Sequence, residues 1–92
     1  MAQFDVALRR LVIALSAADA APQDVVSMVL YTTAMADYRD RRKEIGAAYR
    51  AHFGTHFPAM TMIAVAQLVD PMAVIEVAAV AVVPDSRHET AG

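Results

Sequence analysis

The first apolar positions of the chain recur with the spacing of an amphipathic helix. Between residues 2 and 18, Phe4, Leu8, Leu11 and Leu15 follow one another at intervals of four, three and four, which places them on one side of a helix. Pro22 ends this pattern, because a proline disfavours helical geometry at the residue before it. We therefore predict a first helix over residues 2–18 that buries this stripe.

The next apolar segment is typical of a β-strand. Residues 25–33 are rich in β-branched and aromatic side chains, which favour strands. Because side chains alternate along a strand, one face would carry Val26, Met28 and Leu30, and the other Val25, Ser27, Val29 and Tyr31. Neither face is polar, so we expect both to be covered.

A second helix is predicted after this strand. Asp37 is a suitable N-cap, and Asp40 would then lie at the third helical position. Gly54 is the expected stop, since glycine readily adopts the backbone geometry that ends a helix. The buried stripe would consist of Tyr38, Ile45, Tyr49 and Phe53. The arginines of this helix are expected to face water.

Two further strands complete the predicted fold. Residues 59–67 form an extended run, residues 68–71 have the composition of a turn, and residues 74–83 form the last strand. The element order is therefore α-β-α-β-β, and the fold class is α+β with two helices on one face of a mixed sheet. We expect one domain over residues 1–84 and a flexible polar tail over residues 85–92.

The last strand is apolar on both faces, which changes the expected state of the protein. One face carries Val74, Glu76, Ala78, Val80 and Val82, and the other Ile75, Val77, Ala79, Ala81 and Val83. Two helices can cover only one face of a sheet, and a chain of 92 residues that is 58% hydrophobic has only a small core of its own. We therefore predict a homo-oligomer in which a neighbouring copy covers the second face.

Composition excludes several classes of function. The chain has no cysteine, which excludes thiol catalysis and thiolate metal sites, and its apolar runs are too short to span a membrane. The first residues lack the basic start of a secretory signal, so we expect a cytoplasmic protein. The net charge is −2, and acidic residues dilute the arginines of the second helix, which argues against nucleic acid as a partner.

Glu76 is the residue most suited to chemistry, because it is the only charge in the apolar strand over residues 74–83. A carboxylate buried there must be paired, hydrogen-bonded or protonated. Two interpretations stay open: an ion pair with an arginine of this or a neighbouring chain, or a proton-transfer carboxylate in an interfacial cleft. His52 and His56 are four residues apart, but Gly54 separates them, so we predict no metal site.

Three stretches taken together resemble the RidA/YjgF family. They are Val25–Tyr38, with the sequence VVSMVLYTTAMADY; Tyr49–Gly54, followed by Pro58 and Ala59; and Ile75–Val82, with the sequence IEVAAVAV. Their order and spacing match from the first helix to Pro84. The resemblance implies a chorismate-mutase-like fold, a homotrimer, and small-molecule sites in clefts between subunits, with no metal or cofactor.

The activity implied by the resemblance is the hydrolysis of reactive imines or enamines to ketoacids and ammonia, as in 2-iminobutanoate/2-iminopropanoate deaminases. Family members bind the substrate carboxylate with an arginine that follows a Pro-Ala pair, and a glutamate at the start of the last strand positions the attacking water. Glu76 matches that glutamate and is the candidate catalytic residue. The candidate substrate-binding residues are Tyr31, Gly46, Met60, Thr61 and Met62.

Two of these positions depart from the family pattern. Met60 stands where the arginine is expected, and a thioether cannot make the paired contact of a guanidinium with a carboxylate. Gly46 stands where deaminases usually carry an asparagine. The family also has a β-hairpin before the first helix, so we expect this chain to be a short form or a fragment with a bare sheet edge.

Three functions agree with these residues. The first is binding of a small metabolite, either an imine, an enamine or a carboxylate, at a subunit cleft without arginine-dependent deamination. The second is an active deaminase, a hydrolase that uses Glu76 and water. The third is a non-catalytic oligomeric interaction protein or a truncated fragment. Some members of the family have ribonuclease activity, but the acidic balance of this chain argues against it.

Overall fold

Helices and strands follow one another in the predicted order, with the second helix divided in two. The computed structural model describes residues 2–84. Its elements are α1 (Ala2–Ala17), a short 3-10 helix (Pro22–Asp24), β1 (Val25–Thr32), α2 (Met35–Asp40), α3 (Arg42–Phe53), β2 (Ala59–Ala64) and β3 (Ile75–Ala81). The predicted α+β class is confirmed. The tail predicted over residues 85–92 lies outside the described residues.

A mixed sheet of three strands, in the order β2-β1-β3, forms one layer of the fold. The central strand β1 runs parallel to β2 and antiparallel to β3. A parallel pair needs a crossover connection, which α2 and α3 supply here. Within residues 2–84, each outer strand therefore has one unpaired edge, and none of the helices is long and apolar enough to cross a membrane.

The helices cover one face of the sheet, and the core lies between the two layers. The predicted stripe of α1 is buried at Phe4, Leu8 and Leu15. These residues belong to one apolar cluster with Met28, Leu30, Tyr38, Tyr49, Phe53 and Ile75. Phe4 and Tyr38 contact edge to face, with ring centroids 5.9 Å apart. The other members of the predicted stripes, Leu11 and Ile45, are half-buried against this cluster, so both stripes face the core as predicted.

The start of the second helical segment differs from the prediction. Ala34, not Asp37, is the N-cap of α2, and Asp37 lies within the first turn of that helix, where a carboxylate also interacts favourably with the helix dipole. At Arg41 the backbone leaves helical geometry, with φ −118° and ψ 36°, so a new helix begins at the next residue. Gly54 ends α3 with a positive φ of 59°, which confirms the predicted stop.

The alternation predicted for the first strand is wrong at its start. A β-bulge lies between Val25 and Ser27, where β1 pairs with β3. The extra residue shifts the alternation of side chains, so Val25 is buried and Val26 is 50% exposed. From Met28 onward the predicted alternation holds, and Met28 and Leu30 both lie in the core.

Candidate functional site

The sheet face away from the helices is uncovered in the single chain. The register places three rows of residues across this open face: Ile63, Tyr31 and Glu76; Thr61, Val29 and Ala78; and Ala59, Ser27 and Val80. Val80 is 57% exposed and Ile63 is 42% exposed. The prediction that two helices leave one apolar face of the sheet bare is therefore confirmed.

Glu76 lies on the open face, directly opposite Tyr31 of β1. Its side chain is exposed in the single chain, so the expectation of a buried carboxylate is wrong there, because no helix packs on that side of the sheet. Within residues 2–84, Glu76 forms no ion pair and no side-chain hydrogen bond. Two interpretations of the Glu76 carboxylate therefore stay open: proton transfer, and an ion pair with an arginine of another copy.

A groove of about 460 Å³ lies on the helix side of the sheet, between the α2–α3 segment and the edge strand β2. Aromatic and thioether side chains form much of its wall, and Tyr49 stacks on Phe57 there with ring centroids 5.3 Å apart. Phe57 is 61% exposed, so the groove opens to solvent. Its volume lies within the range of small-molecule sites in proteins.

Four of the candidate substrate-binding residues line this groove: Gly46 of α3 and Met60, Thr61 and Met62 of β2. Thr61 lines the groove although its register places it on the open face. The fifth, Tyr31, and the candidate catalytic residue, Glu76, do not line the groove. Within one chain, the sheet therefore separates the predicted site into two halves.

Three arginines, Arg39, Arg42 and Arg50, also line the groove, and no acidic residue does. None of the three has an ion-pair partner within residues 2–84; the nearby pair joins Arg41 to Glu44 at 4.0 Å. All three are exposed, as expected for the arginine-rich face of the helix. Sequence reasoning missed that this face also forms part of the groove wall. The available signal was the spacing of Arg42, Gly46 and Arg50, because residues four apart share one side of a helix.

Arg50 occupies space that is free because Gly46 has no side chain. A Cβ added at Gly46 would lie 3.1 Å from Nη1 of Arg50 and 3.8 Å from its Cζ. A larger residue at position 46 would compete with the guanidinium for this space. The glycine therefore makes room for a cation in a groove that is otherwise mostly apolar.

His52 and His56 make separate contacts and do not form one site. Nε2 of His52 lies 2.8 Å from Oδ1 of Asp5 and so joins α3 to α1. Nε2 of His56 lies 2.8 Å from the carbonyl oxygen of Val25. In the described range 2–84, no group of three or more His, Cys, Asp and Glu side chains is placed to hold a metal ion.

Two tyrosines that line the groove are withdrawn from water. Burial raises the pKa of Tyr49, and its hydroxyl donates to the carbonyl oxygen of His56 at 2.7 Å. Burial, with a smaller contribution from the charge of Asp37, raises the pKa of Tyr38. The Tyr38 hydroxyl has no hydrogen-bond partner in the described part of the chain. Both phenols are therefore neutral near pH 7 and add no negative charge to the groove.

Comparisons with known proteins agree on one group of relatives. A family model described as endoribonuclease L-PSP matches residues 1–83. Rv2704 of Mycobacterium tuberculosis, a member of the YjgF/YER057c/UK114 family, is 35% identical, with a TM-score of 0.74 over 87% of this chain and 64% of its own. The YjgF gene product of Escherichia coli is 28% identical, with a TM-score of 0.68 over 83% of this chain and 58% of its own.

A candidate endoribonuclease of Thermotoga maritima is also similar to this chain, at 36% identity and a TM-score of 0.75 over 88% of this chain and 60% of its own. The chain thus spans less than two thirds of the length of these solved relatives. No curated protein matches the chain significantly.

Proposed function

The chain belongs to the RidA/YjgF family, whose model is described as endoribonuclease L-PSP, and on that basis we propose that it binds a small metabolite in a cleft between two copies. The metabolite class is a reactive imine, an enamine or a related small carboxylate. The observation that carries the proposal is the separation of Glu76 and Tyr31 from the groove by the sheet.

One chain cannot bring both halves of the site to one ligand. The groove lies on the helix side of the sheet, Glu76 lies on the open face, and the strand backbones stand between them. A second copy whose open face covers the groove would supply the missing carboxylate. The same contact would bury exposed apolar side chains such as Val80 and Phe57, and removing such surface from water is favourable.

This contact joins two different surfaces and is therefore heterologous. Heterologous contacts close into a ring when the rotation between neighbouring copies allows it. A ring of three agrees with the homotrimer that the family resemblance implies, and a trimer is the assembly that we propose. A site between subunits also gives the apolar open face the cover that the single chain lacks.

Paired aspartate variants test the assembly. Val80→Asp places a charge on the open face, whereas Val69→Asp places the same charge in the loop before β3, where Val69 is fully exposed. By analytical ultracentrifugation, we expect wild type and Val69→Asp to sediment as the same oligomer and Val80→Asp to dissociate. A wild-type protein that binds small carboxylates while it stays monomeric at micromolar concentration would contradict the cleft.

An active imine deaminase is the second candidate, favoured by the carboxylate of Glu76 on an otherwise uncharged sheet face. In that reaction water adds to the C=N carbon while Glu76 takes a proton from the water and passes it to nitrogen, which gives a carbinolamine. The hydroxyl proton of the carbinolamine then passes through Glu76 to the amine, so that the C–N bond breaks, ammonia leaves and the C=O group of the ketoacid forms. We expect little or no turnover, because Met60 cannot hold the substrate carboxylate as a guanidinium would.

Ketoacid release from 2-aminoacrylate generated in situ separates these candidates. Binding without catalysis predicts the buffer rate. Catalysis predicts a faster rate that Glu76→Gln abolishes and that Glu44→Gln, at an exposed position outside the groove, leaves unchanged. Met60→Arg is expected to raise the rate if the missing arginine is what limits turnover.

The third candidate, a non-catalytic interaction protein, is tested by the same samples. An intact oligomer that binds neither imine-derived nor simple carboxylates would support it and contradict the proposed function. A short RNA is a further probe, and we expect no binding because the net charge is −2. The cytoplasmic location stays a prediction from the sequence.

A further inference from the structure

Arg50 is the cation best placed to meet a ligand in the groove. The three atoms nearest to a Cβ position on Gly46 all belong to the guanidinium of Arg50, and Nη1 is the nearest at 3.1 Å. The two residues lie one turn apart on the same side of α3. Arg39 and Arg42 share the groove wall, but the space above the glycine is filled by Arg50.

Among the described residues of a single chain, no neighbouring group compensates the charge of Arg50. Within residues 2–84, its guanidinium has no ion-pair partner, and the groove wall contains no acidic residue. The same wall carries the apolar side chains of Phe57, Met60 and Met62. Arg50 is exposed in the single chain, so its guanidinium is free to meet a ligand. Apolar groups that keep water away from the resulting ion pair strengthen its attraction for an anion.

We propose that Arg50 binds the carboxylate of the ligand and that the ligand carries an unbranched apolar chain, which packs on Met60 and Met62. The inference rests on the proposed function and moves the carboxylate contact from the strand position occupied by Met60 to helix α3. A guanidinium forms two parallel hydrogen bonds with a carboxylate, and flexible thioethers adapt to an extended alkyl chain. The ligand class is therefore a small aliphatic monocarboxylate.

Isothermal titration calorimetry of the full chain with hexanoate, hexanamide and acetate tests the assignment. Hexanamide keeps the chain of hexanoate without its charge, and acetate keeps the charge without the chain. We expect wild type to bind hexanoate at least about tenfold more tightly than either. Arg50→Gln is expected to weaken hexanoate binding about tenfold or more and to leave hexanamide binding unchanged.

Two further variants make the result specific. Arg9→Gln removes an exposed arginine of α1 that does not line the groove, and we expect it to keep wild-type affinities. Gly46→Ala keeps the charge of Arg50 but places a methyl group 3.1 Å from Nη1, so the guanidinium must move by a few tenths of an ångström, and hexanoate binding should weaken by up to a few-fold. Alanine favours a helix over glycine, so poor folding would not explain that loss.

The outcomes separate this inference from the function on which it rests. A retained preference for hexanoate in Arg50→Gln would overturn the role of Arg50 and leave binding of carboxylates in the groove intact. Equal loss of hexanamide binding would also overturn it, because the arginine would then support the groove or the contact between copies. Failure of the wild-type oligomer to bind any of the three probes would overturn both proposals. Sedimentation of each variant shows whether its assembly is unchanged.

Discussion

Glu76 of β3 lies opposite Tyr31 of β1 on the sheet face that no helix covers. Among the residues that the register places on this face, Glu76 is the only charged one. A carboxylate in an apolar row contributes little to the fold of its own chain when it is exposed and has no ionic partner there. Its position is better explained by a contact with a bound ligand than by a role in the stability of the fold.

Glu76→Gln is therefore expected to change the free energy of unfolding by less than about 0.5 kcal/mol, as is usual for exposed surface positions. Urea titration at one fixed protein concentration measures this, because the stability of an oligomer depends on concentration. Glu44→Gln, at another exposed glutamate, is the control. A loss above about 2 kcal/mol would show instead that the assembly buries and pairs the carboxylate.

Thr32 and Thr33 are adjacent residues with opposite expected sensitivity. Thr32 is 0% exposed; its hydroxyl donates to the carbonyl oxygen of Val74 at 2.7 Å and accepts from the N–H of Ala34 at 3.0 Å. Thr32→Val removes both bonds and is expected to cost about 1–3 kcal/mol of unfolding free energy. Thr33→Val alters an exposed side chain and should cost less than about 0.5 kcal/mol. Equal effects in urea titrations would contradict the hydrogen-bonding role of Thr32.

Tyr38 and Tyr49 make a second matched pair. The Tyr49 hydroxyl donates to the carbonyl oxygen of His56 at 2.7 Å, so Tyr49→Phe is expected to lower the free energy of unfolding by about 1 kcal/mol. The Tyr38 hydroxyl is buried with no partner in residues 2–84, and Tyr38→Phe should be neutral or stabilising. A loss above about 1 kcal/mol in Tyr38→Phe would show that another copy supplies a partner for its hydroxyl.

The same tyrosines predict how stability depends on pH. Burial raises the pKa of Tyr38 and of Tyr49 above the ordinary value of 10.0. As the pH rises, the unfolded chain loses these protons before the folded chain does. The contribution of the neutral tyrosines to stability is therefore complete below about pH 10 and is lost as the pH rises through their folded-state pKa values. Thermal melts between about pH 8 and 11 should show a steeper alkaline decline for wild type than for Tyr38→Phe/Tyr49→Phe. Identical slopes would contradict the prediction.

Replacing Gly46, within α3, and Gly54, at its end, by alanine is expected to change the free energy of unfolding in opposite directions. Gly46→Ala should raise the free energy of unfolding by up to about 1 kcal/mol through helix propensity, since its methyl group meets only the flexible end of Arg50. Gly54 has a φ of +59°, which strains any residue with a Cβ, so Gly54→Ala should lower the free energy by about 1 kcal/mol or more. Circular dichroism during urea unfolding measures both. A stabilised Gly54→Ala would contradict the assigned turn.

Local patterns predicted the elements of the fold, and non-local pairing caused the errors. The intervals between Phe4, Leu8 and Leu15 depend only on the periodicity of one helix, and these residues are buried as predicted. The bulge between Val25 and Ser27 depends on how β1 aligns with β3, more than 50 residues later in the chain, so alternation within β1 could not reveal it. The break at Arg41 likewise has no proline or glycine to mark it.

The candidate site was predictable in its parts but not in its arrangement. Family resemblance selected Gly46, Met60, Thr61 and Met62, and these residues do line one groove. The same reasoning did not show that Glu76 lies on the opposite face of the sheet, because correspondence of motifs carries no information on which side chains share a cavity. Sequence reasoning also did not show that the guanidinium of Arg50 fills the space next to Gly46, because charged residues of an amphipathic helix usually face solvent.

Glu76 and the groove lie on opposite faces of one sheet. This arrangement predicts how mixtures of two variants behave. If clefts form between copies, a Glu76→Gln chain still offers an intact groove, and an Arg50→Gln chain still offers an intact carboxylate. Mixing the two variants under conditions that allow subunit exchange would create some hybrid clefts that combine an unaltered groove with an unaltered Glu76. The fraction of clefts that bind ligand like the wild type would then follow the statistics of random subunit exchange, which a site contained within one chain could not produce.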